Sequence, residues 1–157
     1  MPDKNIDNMK YSGLTLHWAV LAILAATLVF YVVICHYLGN KVQLGYPESQ
    51  RVWLRTAFYV IAITTFPLVN LIRHIMLRLN QTMPGETPAA NRYFFSVLVS
   101  MALVELIGIF GLIMYILGDG FNTLYIFIIL SALGLFLYRP KSTELCAIQQ
   151  ALAEKED

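Results

Sequence analysis

One acidic residue stands where an acid is expensive. Glu105 lies near the middle of an otherwise apolar stretch, Tyr93 to Gly118, about as long as a bilayer-spanning helix. A carboxyl group at that depth costs on the order of 3 kcal/mol on insertion scales. An acid kept at such a cost points to proton or ion binding, to a hydrogen bond that glues helices, or to an ion pair with another subunit. No Lys or Arg lies at matching depth in the other apolar stretches. The expected resting form is therefore a neutral, hydrogen-bonded acid. Counting inward along each apolar stretch puts the hydroxyl groups of Thr27, Thr64, Thr65 and Ser131 at a similar level. They form a candidate polar layer that supplies hydrogen bonds where lipid cannot. Gly108 shares the face of Glu105 one helical turn on, and with Gly111 it is expected to let another helix backbone approach closely.

Histidine suggests a second chemistry. His17, near the start of the first apolar stretch, and His74, just past the second, fall on the same predicted side of the membrane. Two histidines from adjacent helices can ligate a haem b iron. They are weak ligand candidates, and interfacial histidines bonded to headgroups or backbone are the commoner case. No cofactor is expected otherwise. Cys35 and Cys146 fall on opposite predicted faces, which excludes an intrachain disulfide and a shared metal site. The sequence contains no nucleotide-binding loop, no paired carboxylates and no supported Ser-His-Asp or Cys-His set. The segments between apolar stretches are too short to enclose a soluble active site, so an enzyme acting alone is not expected, nor is nucleic-acid binding.

The elements that must position Glu105 follow from composition. Hydrophobic residues make up 58% of the chain and charged residues 13%, against about 25% charge in a typical soluble domain. That apolar excess implies lipid as the solvent. The charges collect at the two ends and in two loops. Four stretches, Leu14 to Leu38, Thr56 to Ile72, Phe94 to Leu117 and Phe121 to Tyr138, are nearly free of them. We predict an all-α membrane four-helix bundle forming one domain, with spans over about 14–38, 54–77, 94–117 and 121–138 and a short tail helix over about 142–155. In the tail, Leu145, Ile148 and Leu152 recur at helical spacing. This helix is expected either to dock on a partner or to lie on the bilayer.

Lys4, Lys10, Arg73, Arg78, Arg92, Arg139 and Lys141 share one face of a four-span arrangement. The predicted orientation puts both termini in the cytoplasm, in a multi-pass protein of a bacterial inner membrane. Arg51 and Arg55 oppose that trend. Trp18, Tyr93, Phe94 and Tyr138 are expected to mark the cytoplasmic boundary, and Tyr37, Trp53, Tyr115 and Phe121 the opposite one. Pro67 interrupts the second span and frees a carbonyl that Thr64 is placed to satisfy. Ala22 and Ala26 form a small-xxx-small pair, a candidate helix contact surface for other membrane subunits or for self-association. Asn80-Gln81-Thr82 matches the glycosylation acceptor pattern, but the predicted cytoplasmic position of its loop makes that match a chance one.

The run from Met101 through Glu105 and Gly108 to Ile113 resembles the second helix of the proteolipid c subunit of F-type ATP synthases. The likeness covers roughly residues 95–117. Ile109-Phe110-Gly111-Leu112-Ile113 stands where that family carries an Ile-Tyr-Gly-Leu-Val type segment after its ion-carrying carboxylate. The resemblance implies that Glu105 is a proton carrier. Leu106 follows the acid, whereas sodium-binding members tend to have Ser or Thr there, so the implied ion is a proton. The chain departs from the family in having no glycine between Thr56 and Ile72, no Arg-Gln-Pro loop signature and two additional spans.

Overall fold

The computed structural model describes residues 4–82 and 89–153, with side chains described over 15–39, 41–82 and 91–151. The described residues are helical throughout apart from short connections: α1 (Lys4–Leu38), a 3-10 turn (Gly39–Val42), α2 (Glu48–Thr82), α3 (Ala89–Ile116), α4 (Phe121–Leu137) and α5 (Ser142–Ala153). Three segments are long and apolar enough to cross a bilayer: Thr15–Leu38, Glu48–Thr82 and Asn91–Ile116. The pair α4–α5, bent by 43°, is a fourth candidate. Helix α4 alone has 17 residues, about 26 Å at a rise of about 1.5 Å per residue.

Helix α3 is the axis of the molecule. Half of its apolar window is buried, against about a fifth for α2 and a ninth for α1. It packs against every other helix, most extensively α4, whereas α1 and α2 barely meet. Two close approaches explain the tight α3–α4 hairpin. A Cβ on Gly111 would lie 2.8 Å from the Phe127 Cβ and 3.1 Å from the Leu124 carbonyl oxygen. One on Gly134 would lie 2.4 Å from Val104 Cγ1. With no side chain in the way, the backbones come together and dispersion contacts replace lost lipid contacts. The hairpin turn closes on Gly118 (φ +99°). Gly118 N–H donates to Tyr115 O and Asp119 N–H to Met114 O, both at 3.0 Å, a glycine-terminated Schellman motif. The 3-10 turn and the segment after it lie across this end, where Leu44 N–H donates to Ile116 O (2.8 Å) and Tyr46 N–H to Leu117 O (3.1 Å). Carbonyls left over at the end of α3 are thereby satisfied.

Helix α2 extends beyond the expected 54–77 because both of its ends are tied down. At one end Arg51 donates to the Gly118 carbonyl and Arg55 pairs with Asp119 at 3.3 Å. At the other, buried Arg73 donates to Tyr138 O (2.6 Å) and pairs with Glu144 (2.6 Å). Arg55 and Arg73 are about 27 Å apart along the helix at about 1.5 Å per residue, close to the thickness of a hydrocarbon core. Beyond Arg73, the Asn80 amide donates to Arg92 O (3.1 Å) and to Ser96 Oγ (2.8 Å). The nitrogen that a glycan would need is thus engaged inside the bundle.

Several expectations about side chains are corrected here. Tyr93 and Tyr115 are buried within the bundle. The Tyr115 hydroxyl donates to Cys35 O, and that of Tyr138 to Phe66 O. Tyr93 donates to Lys141 O and to Glu144. Trp18, Tyr37 and Trp53 are exposed. Thr64 does not turn toward the carbonyl freed by Pro67 but donates to Val60 O and Ile61 O. Helix α5 docks on its own bundle, with Leu145 and Ile148 buried against the cluster that holds Tyr93 and Tyr138.

Candidate functional site

Glu105 sits on α3 close to the side that meets α1. One turn on, a Cβ at Gly108 would meet Leu28 Cδ2 of α1 at 2.5 Å and Ser131 Oγ of α4 at 3.4 Å. The side chain is 6% exposed. Neither of its carboxyl oxygens has a hydrogen-bond partner among the described residues. Along α3, Glu105 is about 18 Å from Tyr93 at one end and about 20 Å from Gly118 at the other, at about 1.5 Å per residue. It is therefore close to the middle of the bundle.

None of the four hydroxyls of the expected polar layer reaches this carboxyl. Thr27 donates to Ile23 O (2.9 Å) and Thr65 to Ile61 O (2.7 Å), each on its own helix, as Thr64 does. A threonine hydroxyl in a helix finds the carbonyl one turn back without any rearrangement, which is why depth alone is a poor guide to its partner. Ser131 comes nearest. Buried, it donates across the helix pair to Val104 O at 3.0 Å, the carbonyl next to Glu105 in the chain.

Gly108 and Gly111 are both buried at helix contacts. Ala22 and Ala26 are exposed, so this pair is not a contact surface within the chain. Helix α1 turns Leu28 and Cys35 inward instead. The two haem-ligand candidates are not brought together. His17 is buried with its ring 5.1 Å from that of Tyr93 and 5.2 Å from that of Phe94, while His74 is exposed on α2, a helix that α1 scarcely touches. His36 at the other end bonds Val32 O and the Tyr125 hydroxyl, both at 3.0 Å. No group of three metal-ligating side chains occurs among the described residues.

Sequence reasoning missed Gly134, whose contact with Val104 supports the turn of α3 that carries Glu105. It also missed the cluster of Arg73, Tyr93, Tyr138 and Glu144. An isolated glycine in a leucine-rich span was the available signal for the first. For the second it was an arginine bordering a span, which reads equally well as a headgroup anchor. Comparison with protein families, with curated proteins and with solved structures gives no match.

Proposed function

We propose that this chain is a four-span integral protein of the bacterial cytoplasmic membrane, both termini cytoplasmic, and that Glu105 is a proton-binding acid within it. The observation that carries the reading is the state of the carboxyl group, which is buried with both oxygens unpartnered among the described residues. An acid retained only to glue helices would be expected to spend its hydrogen bond on a neighbour. One that takes up and releases a proton needs a site in which the neutral form rests without a fixed competitor. The short likeness around Glu105 to ATP synthase proteolipids supports the same role, in a proton-binding or proton-translocating subunit.

The test is reaction with a hydrophobic carbodiimide, which attacks protonated carboxyls in apolar surroundings. The wild-type chain is expected to acquire one adduct, mapped to Glu105, and Glu105→Gln to acquire none. Equal labelling of the two would overturn the assignment.

A second reading, an accessory subunit of a larger membrane assembly, is favoured by a separate observation. Ala22 and Ala26 face outward from the bundle one turn apart, where another helix could approach closely. On this reading Ala26→Leu abolishes co-purification with other membrane chains or with a second copy, while carbodiimide labelling persists.

A further inference from the structure

The backbones of α2 and α4 stay apart along most of their length, meeting through side chains such as the Tyr59 and Phe127 rings stacked at 4.8 Å, and a cleft of about 480 Å³ opens between them below the elbow where α4 turns into α5. Its wall is apolar where it runs along the helices, formed by Phe66, Pro67 and Leu137. Its mouth is cationic. Lys141 lines it and is exposed, and its ammonium has no acidic partner among the described residues. Arg139, two residues away, is not part of this lining: its guanidinium lies over the Phe136 ring at 4.6 Å, beside the groove between α1 and α4. The one acid in the lining, Glu144, is engaged by Arg73 at 2.6 Å and by the Tyr93 hydroxyl at 3.1 Å. About one turn deeper than Arg73, Asn70 lines the same cleft with an exposed amide that bonds no described residue. A bare amide on a spanning helix is costly against hydrocarbon and calls for a polar partner.

A free cation at the mouth, an unspent amide below it and an apolar wall beneath match a phosphate ester carrying hydrocarbon chains. We propose that this cleft binds the headgroup of an anionic phospholipid. Lys141 holds the phosphate, Asn70 donates to the ester oxygens, and an acyl chain runs down over Pro67 and Leu137 between α2 and α4. Basic pockets between spanning helices on the cytoplasmic side favour such headgroups. The inference rests on the chain being embedded in a bilayer, as proposed above, and is independent of what Glu105 does.

The test uses the full chain purified in mild detergent and exposed to phosphatidylglycerol or phosphatidylcholine, with bound lipid counted by native mass spectrometry and stability read by thermal unfolding. Phosphatidylglycerol is expected to be retained and to raise the unfolding temperature, and phosphatidylcholine to do neither. The variant Lys141→Gln, altered only at an exposed position, is expected to lose retention by roughly tenfold. Asn70→Leu weakens retention, and Lys41→Gln, exposed at the opposite end, leaves it unchanged. Equal retention of both lipids, or undiminished retention in Lys141→Gln, would overturn the proposal. So would a full stability shift from inorganic phosphate or glycerol 3-phosphate alone, which would assign the cleft to a soluble phosphate ester. A chain found outside the membrane fraction after cell lysis would defeat the membrane reading itself, a result separate from lipid preference.

Discussion

A missing methyl group decides how close two helices come, and here three glycines do so by different means. At Gly108 the group nearest to an added Cβ is the tip of Leu28 at 2.5 Å, the far end of a flexible side chain that can swing away. At Gly134 it is Val104 Cγ1 at 2.4 Å, on a β-branched side chain with little freedom in a helix. At Gly111 it is the Cβ of Phe127 and a backbone oxygen, neither of which moves without the helix. Gly111→Ala and Gly134→Ala should therefore each cost about 1–3 kcal/mol, and Gly108→Ala distinctly less. Thermal unfolding in detergent ranks the three, and a larger loss at Gly108 than at Gly134 would contradict the account. Glu105, Gly108 and Gly111 were all legible in the sequence as an acid and two small residues on one apolar helix. The partners of Thr27, Thr64 and Thr65 were not, because equal depth in a membrane says nothing about which way a hydroxyl turns.

The elements are held in register by the two ends of α2. Arg73 is 5% exposed and binds a carbonyl and a carboxylate at once. Replacing it with Met would strand Glu144 and the Tyr138 carbonyl, and breaking such a buried pair typically costs 3–5 kcal/mol. We expect Arg73→Met to undock α5, so that limited proteolysis cuts the chain after residue 140 while the bundle survives. Arg55→Met, which removes a part-exposed pair, should be nearly silent, since such pairs contribute about 0–1 kcal/mol. The apolar stretches end about where α1, α3 and α4 end, at turns, but α1 begins at Lys4, ten residues before its stretch. The full extent of α2 was less legible. Its continuation before 54 is held by Arg51 on the Gly118 carbonyl, 67 residues away, and past 77 by Asn80 on Arg92 and Ser96 of the next helix, and no local pattern encodes either partner. The same distance hid the docking of α5, whose spacing of Leu145 and Ile148 gave the helix but not the surface it covers.

For the whole molecule, the composition alone pointed to helices in lipid, and three of the helices found are long and apolar enough to cross a bilayer. The number of crossings is the open structural quantity, because α4 is short and its continuation bends by 43°. Four crossings put residue 41 and residue 143 on opposite sides of the membrane, and three put them on the same side. In a chain with Cys35 and Cys146 replaced by Ala, Lys41→Cys and Thr143→Cys are both at exposed positions. An impermeant maleimide applied to intact spheroplasts should label the first and not the second. Labelling of both would reduce the count of crossings to three.

The near-absence of contact between α1 and α2 bears on how the chain matures. Both precede α3 in the chain, yet each finds its packing surface on α3, and α3 in turn leans most heavily on α4. On the membrane reading proposed above, α1 and α2 stand as two separate rods with little to hold them side by side until α3 is present. Compaction of this part of the molecule thus waits for α3, which gathers both.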